Sequence, residues 1–139
     1  MSDEKQWAAV DRYITDQLVP SDAALDAALA SSAANGLPAI NVAPNQGKLL
    51  HVLARSIGAK RILEIGTLGG YSTIFLARAL PPGGKLITLE YERKHADVAR
   101  ANIERAGLSH LVYIRLGTSI DSVPRSAAEG RAPIDFVFI

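Results

Sequence analysis

The chain reads as an α/β protein, a parallel sheet with helices on both faces and a helical hairpin appended at its N-terminus. Three observations carry that reading. The run Arg61-Ile62-Leu63-Glu64-Ile65 enters a glycine turn at Gly66 and leaves it at Tyr71-Ser72 as a helix. A second apolar run, Lys85-Leu86-Ile87-Thr88-Leu89-Glu90, follows and ends on a carboxylate. From there strands and helices alternate, and the strands are almost continuously apolar, as strands covered on both faces are.

The N-terminal elements come first. Trp7, Val10, Ile14 and Leu18 recur at three and four residues and predict a helix over 3–19, with Ser2 or Asp3 as its cap. Pro20 stops it. Ser21-Asp22 then caps a second helix from Ala23 to about Ala34, closed by Asn35-Gly36, with Leu25 and Leu29 on its buried face. The segment 37–42 is extended, because the proline at 38 restricts its predecessor. Pro44 fits the first turn of a third helix. Leu49, Leu50, Val52, Leu53 and Ile57 form its apolar stripe, and Gly58 suits the position just past its end.

The core strands are expected at 61–65, 85–90, 111–116 and 135–139, and the helices between them at 71–80, 92–106 and 119–129. Leu80-Pro81-Pro82-Gly83-Gly84 breaks the first of these helices. Gly107 ends the second, whose packing face is Ala96, Ala99, Ile103 and Ala106. Right-handed crossovers make this a Rossmann-like half-sheet. Residues 1–139 are read as a single domain, with 1–36 a helical extension and 37–139 the core.

Composition narrows the function. The formal net charge is +1 and the charges are dispersed, so there is no clustered basic face for nucleic acid. The absence of cysteine excludes disulfides and zinc–thiolate sites. No apolar run approaches the ~20 residues that span a bilayer, and the N-terminus lacks a signal-peptide core. The cytoplasm is the expected compartment.

The glycine turn chooses between ligands. A dinucleotide fingerprint starting at Gly66 needs glycine at 68 and 71, and the chain has Leu68 and Tyr71. What stands is Glu64-x-Gly66-x-x-Gly69-Gly70. A carboxylate beside the turn would repel a pyrophosphate, but it suits a ligand with an ammonium or sulfonium end. Glu90 stands at about the interval past Gly66, roughly 20 residues, where an acidic residue takes ribose hydroxyls. The plainer readings are a cap or ion pair for Glu64 and a solvated strand end for Glu90. His51, His95 and His110 share no metal-ligand spacing and read as surface or supporting residues.

On these residues the chain resembles the class I S-adenosylmethionine (SAM)-dependent methyltransferases, and within them the metal-dependent catechol and caffeoyl-CoA O-methyltransferase group. The resemblance rests on Asn41-Val42, Gly47, Leu63-Glu64-Ile65-Gly66-Thr67, Gly70-Tyr71-Ser72, Thr88-Leu89-Glu90, Ala106-Gly107, Gly117-Thr118-Ser119 and Asp135-Phe136-Val137-Phe138-Ile139. It implies that Val42 touches the methionine part of SAM. Glu64 and Ser72 would hold its amino and carboxylate groups, with backbone at Gly66. Glu90 would bind the ribose, Tyr91 would flank the adenine, and Gly117 and Ser119 would border the adenine edge. Thr67, Gly70, Tyr71 and Thr118 complete the implied cofactor site, with Tyr71 read as packing rather than contact.

The resemblance also implies a small phenolic or catechol-like acceptor, a homodimer and a Mg²⁺ ion. In the family the metal ligands and the base follow the last strand seen here, so no catalytic or metal residue is expected before Ile139. The chain is read as truncated, without the final strands and the catalytic half, and Asp135 as no metal ligand. Two alternatives stay open: an NAD(P)-dependent oxidoreductase on a similar sheet, and a SAM-binding module without catalysis.

Overall fold

The computed structural model describes residues 3–118, 121, 123 and 133–139. The elements in order are α1 (Asp3–Leu18), α2 (Ala23–Ala34), α3 (Pro44–Ser56), β1 (Arg61–Ile65), α4 (Tyr71–Ala77), β2 (Lys85–Glu90), α5 (Arg93–Arg105), β3 (Val112–Leu116) and β4 (Phe136–Phe138). The strands form one parallel sheet in the order β3-β2-β1-β4. In register, Ile62 stands beside Leu86 and Phe136, and Glu64 beside Thr88 and Phe138. Asp135 Oδ2 accepts from the Lys60 and Arg61 N–H groups at 2.9 and 3.0 Å, which ties the start of β4 to the start of β1.

Alternation along the strands sorts the two faces. Ile62 and Leu86 pack with Ala54, Ile74, Leu76, Ala99 and Ile103 of the flanking helices, and Val112, Ile114, Phe136 and Phe138 border that core. Leu63, Ile87 and Leu89 form a second cluster with Ile65. The helix expected at 119–129 lies outside the described residues, apart from Asp121 and Val123, which are helical.

Of the two helices of the N-terminal segment, α2 is built into the core and α1 lies outside it. Asp22 caps α2 by accepting from Ala24 N and Leu25 N, both at 3.0 Å, and its carboxylate also pairs with Arg78 at the end of α4. Leu25 and Ala28 belong to the main core. α1, by contrast, buries no residue and packs on α3.

The apolar stripe expected on α3 is a correction. Leu49, Val52, Leu53 and Ile57 are exposed, and the buried positions are Gly47 and Ala54. The reason is the closeness of α3 to α4. A Cβ at Gly47 would stand 2.4 Å from the Phe75 ring. One turn on, His51 Nδ1 lies 3.0 Å from the Phe75 carbonyl, so His51 serves packing between helices. Small residues face the neighbour, Leu50 packs against the main core, and Leu49 and Val52 line a groove with Ile14, Leu18 and Val19.

Candidate functional site

The turn after β1 is built on unusual backbone. Gly66 (φ 95°) and Gly70 (φ 82°) are left-handed, and so is Leu68 (φ 50°), where a side chain costs energy. Glu90 holds that strain in place. Its Oε2 accepts from Thr67 N at 3.1 Å and Leu68 N at 2.8 Å. Its Oε1 accepts from Tyr91 N and Glu92 N, both at 3.0 Å. One buried carboxylate thus ties the glycine turn to the approach of α5. Asn102, fully buried on α5, supports the turn from beneath by donating to the Gly69 carbonyl at 2.9 Å. A lone asparagine on an amphipathic helix carries no sequence signal for that role.

Glu64 is fully buried and accepts three hydroxyl hydrogen bonds: from Ser72 Oγ at 2.5 Å, Thr73 Oγ1 at 2.5 Å and Thr88 Oγ1 at 2.7 Å. Burial pushes its carboxyl above the usual carboxylate range, against the three donors, and the nearby Glu90 adds to the rise. The sequence places Glu64 against a ligand. The structure places it behind the wall, with Ser72 between it and the cavity.

That cavity, of about 420 Å³, opens at the C-terminal ends of β1 and β4. Here the chain crosses from one side of β1 to the other, the switch point where open α/β sheets bind ligands. Of the residues singled out in the sequence, it gathers Val42, Gly66, Thr67, Tyr71, Ser72 and Glu90. Tyr71 is buried edge-on to Phe75, with ring centroids 5.4 Å apart, and borders the cavity from that packed position.

Other expected residues stand elsewhere. Gly70 is the N-cap of α4, turned toward Ala99 rather than the cavity. Tyr91 is 71% exposed and outside the lining, because the chain turns to solvent between β2 and α5. Gly117 donates its N–H to the Glu90 carbonyl at 3.0 Å, and Thr118 donates its hydroxyl to Asp121; neither lines the cavity. Ser119 lies outside the described residues. His95, set aside in the sequence, does line the cavity, with Nδ1 at 3.6 Å from Glu90 Oε1. Its position three residues into a helix that follows Glu90 is the signal that could have found it.

Among the described residues no group of three His, Cys, Asp or Glu side chains could hold a metal ion. No helix among them is long and apolar enough to cross a membrane.

The O-methyltransferase family profile matches residues 19–139. A catechol O-methyltransferase of Niastella koreensis is 57% identical over 133 residues, covering 96% of this chain and 60% of its own length. A crystal structure of an O-methyltransferase from Bacillus cereus with SAH superposes with a TM-score of 0.94 at 52% identity, covering 97% of this chain and 61% of that one. The O-methyltransferase TomG of Streptomyces achromogenes, solved with SAM, gives a TM-score of 0.91 at 47% identity, with 99% and 61% covered. The chain therefore spans about three-fifths of the length of these relatives.

Proposed function

This chain belongs to the O-methyltransferase family, and from that premise we propose that the whole protein is a SAM-dependent O-methyltransferase. Its acceptor is a small phenolic or catechol-like molecule, and residues 37–139 form the core of its cofactor half. The observation that carries the reading is the cavity at the switch point between β1 and β4, bounded by a strained glycine turn and closed on the other side by Val42.

The residues present suit SAM. Gly66 lines the cavity, and a Cβ there would meet nothing within 4 Å, so a ligand can approach its backbone closely. Ser72 Oγ donates its proton to Glu64 and so offers the cavity an acceptor, which suits an ammonium group. Val42, Ile65 and Phe138 supply an apolar wall that keeps water from the reacting end. Glu90 supplies an acceptor to the ribose, and the adenine extends out of the cavity toward Tyr91 and Gly117, with Ser119 assigned to it from the sequence resemblance. When bound, SAM supplies an electrophilic methyl group on its sulfonium.

A divalent cation bound by residues beyond Ile139 is part of this proposal for the whole protein. So is a homodimer. Trp7, Val10 and Tyr13 on α1 and Leu49 and Val52 on α3 leave an apolar surface exposed, which supports pairing of two copies. Sedimentation as a monomer at high micromolar concentration would remove the dimer.

Calorimetric titration with SAH, with and without Mg²⁺, tests the cofactor reading. Micromolar binding that ignores Mg²⁺ is expected. A folded sample that binds NADH and not SAH sinks the proposal and revives the oxidoreductase.

A further inference from the structure

We propose that His95 binds one hydroxyl of the cofactor's ribose, so that the diol is shared between His95 and Glu90 rather than held by Glu90 alone. The inference rests on the SAM reading above and assigns a residue that the sequence patterns leave out.

The argument begins with the hydrogen bonds of Glu90. A carboxylate offers about four lone-pair sites. In this structure backbone N–H groups occupy four: Thr67 and Leu68 on Oε2, Tyr91 and Glu92 on Oε1. A vicinal diol brings two further donors. Each hydroxyl placed on Glu90 therefore competes with a backbone donor, and two of those donors hold the turn around Leu68 at its positive φ. A second acceptor beside it resolves the shortage.

His95 stands where that acceptor is needed. It lies in the first turn of α5, lines the same cavity, and its side chain is 21% exposed. Nδ1 stands 3.6 Å from Glu90 Oε1. Carboxylate oxygens accept, so the tautomer that suits this neighbour carries its proton on Nδ1. Nε2, on the far edge of the ring, is then an acceptor. One ribose hydroxyl then shares Glu90 with its backbone donors and the other donates to His95 Nε2, so that one hydroxyl rather than two competes for the carboxylate.

A cycle of ligand against residue tests this in the same chain. SAH and its 2′-deoxy and 3′-deoxy analogues are titrated into the native protein, His95→Ala and His95→Gln. His95→Ala is expected to weaken SAH by about three- to tenfold, the range of one hydrogen bond. For one of the two deoxy ligands the same substitution should cost less than about twofold, because the bond is already gone. His95→Gln, whose amide oxygen accepts, should recover part of the loss, and it carries the cycle if His95→Ala does not fold. Unchanged SAH affinity in His95→Ala overturns the proposal, as does an equal loss for all three ligands. Failure of the native protein to bind SAH overturns the cofactor reading itself, a result distinct from either.

Discussion

Ser72 Oγ donates to Glu64 Oε1 at 2.5 Å, so the buried carboxylate of β1 acts on the cavity through a hydroxyl and not directly. Thr73 and Thr88 take up its other oxygen, and Thr88 shares a 2.6 Å hydroxyl contact with Thr67 of the turn. Burying a charge is costly, and here three neutral donors offset only part of that cost.

A pH dependence follows. The folded pKa of Glu64 lies above its ordinary 4.5, so the folded state holds the proton where the unfolded state has lost it. Stability therefore falls as pH rises from 4.5 through the folded value. The isosteric Glu64→Gln has no such titration. Urea melts between about pH 4 and pH 8 should show the native protein losing ground against Glu64→Gln as pH rises, with a constant difference at the acid end. Parallel curves throughout would mean that the carboxyl is not displaced upward.

Glu90→Gln should destabilise the protein before any ligand is added. An amide presents donors to one of the two N–H pairs that the carboxylate now accepts, at a cost of about 2 kcal/mol. Thermal unfolding of the unliganded variant checks this. A melting temperature equal to that of the native protein would show that the turn does not depend on Glu90. A drop means that weaker SAH binding by this variant reports the turn as well as the ribose.

Gly47→Ala runs against helix propensity. Alanine in a helix ordinarily gains about 1 kcal/mol over glycine. Here the new Cβ would lie 2.4 Å from the Phe75 ring, which is wedged against Tyr71 of the cavity wall. The expected outcome is a net loss of about 1–3 kcal/mol in urea melts, as overpacked cores show. A stabilised variant would mean that α3 and α4 separate freely.

Asp22→Asn separates a cap from an ion pair. The amide still caps α2 but loses the charge that Arg78 pairs with at 2.7 Å. The Arg78 guanidinium, against partial burial, holds the Asp22 carboxyl below its ordinary 3.8. Its contribution is therefore present above 3.8 and is lost as pH falls through the lower folded value. Near neutral pH Asp22→Asn should cost roughly 0.5–1 kcal/mol, and the gap to the native protein should close at strongly acid pH. A gap that persists there would assign the loss to the cap.

The sequence by itself determined the order of elements, the parallel sheet and the glycine turn. Apolar runs, prolines, the Asp22 cap and the glycines at 58 and 107 act locally, within one turn or one strand, and they set those features wherever the rest of the chain lies. The tertiary structure decided what each site residue faces. Periodicity on α3 reported where apolar side chains recur, but the face that docks is the one whose small residues, Gly47 and Ala54, let another helix approach. Glu64 and Glu90 look alike in the sequence, each an acid at or near a strand end. Hydroxyls from α4 and β2 turned the first into an inner support. Four backbone N–H groups brought together by the turn and the start of α5 made the second the tie of the site, with His95 beside it. Thr88, Thr67 and Leu68 are distant in sequence from the acids they bind, and a hydrogen bond between distant residues exists only once packing has brought them within reach.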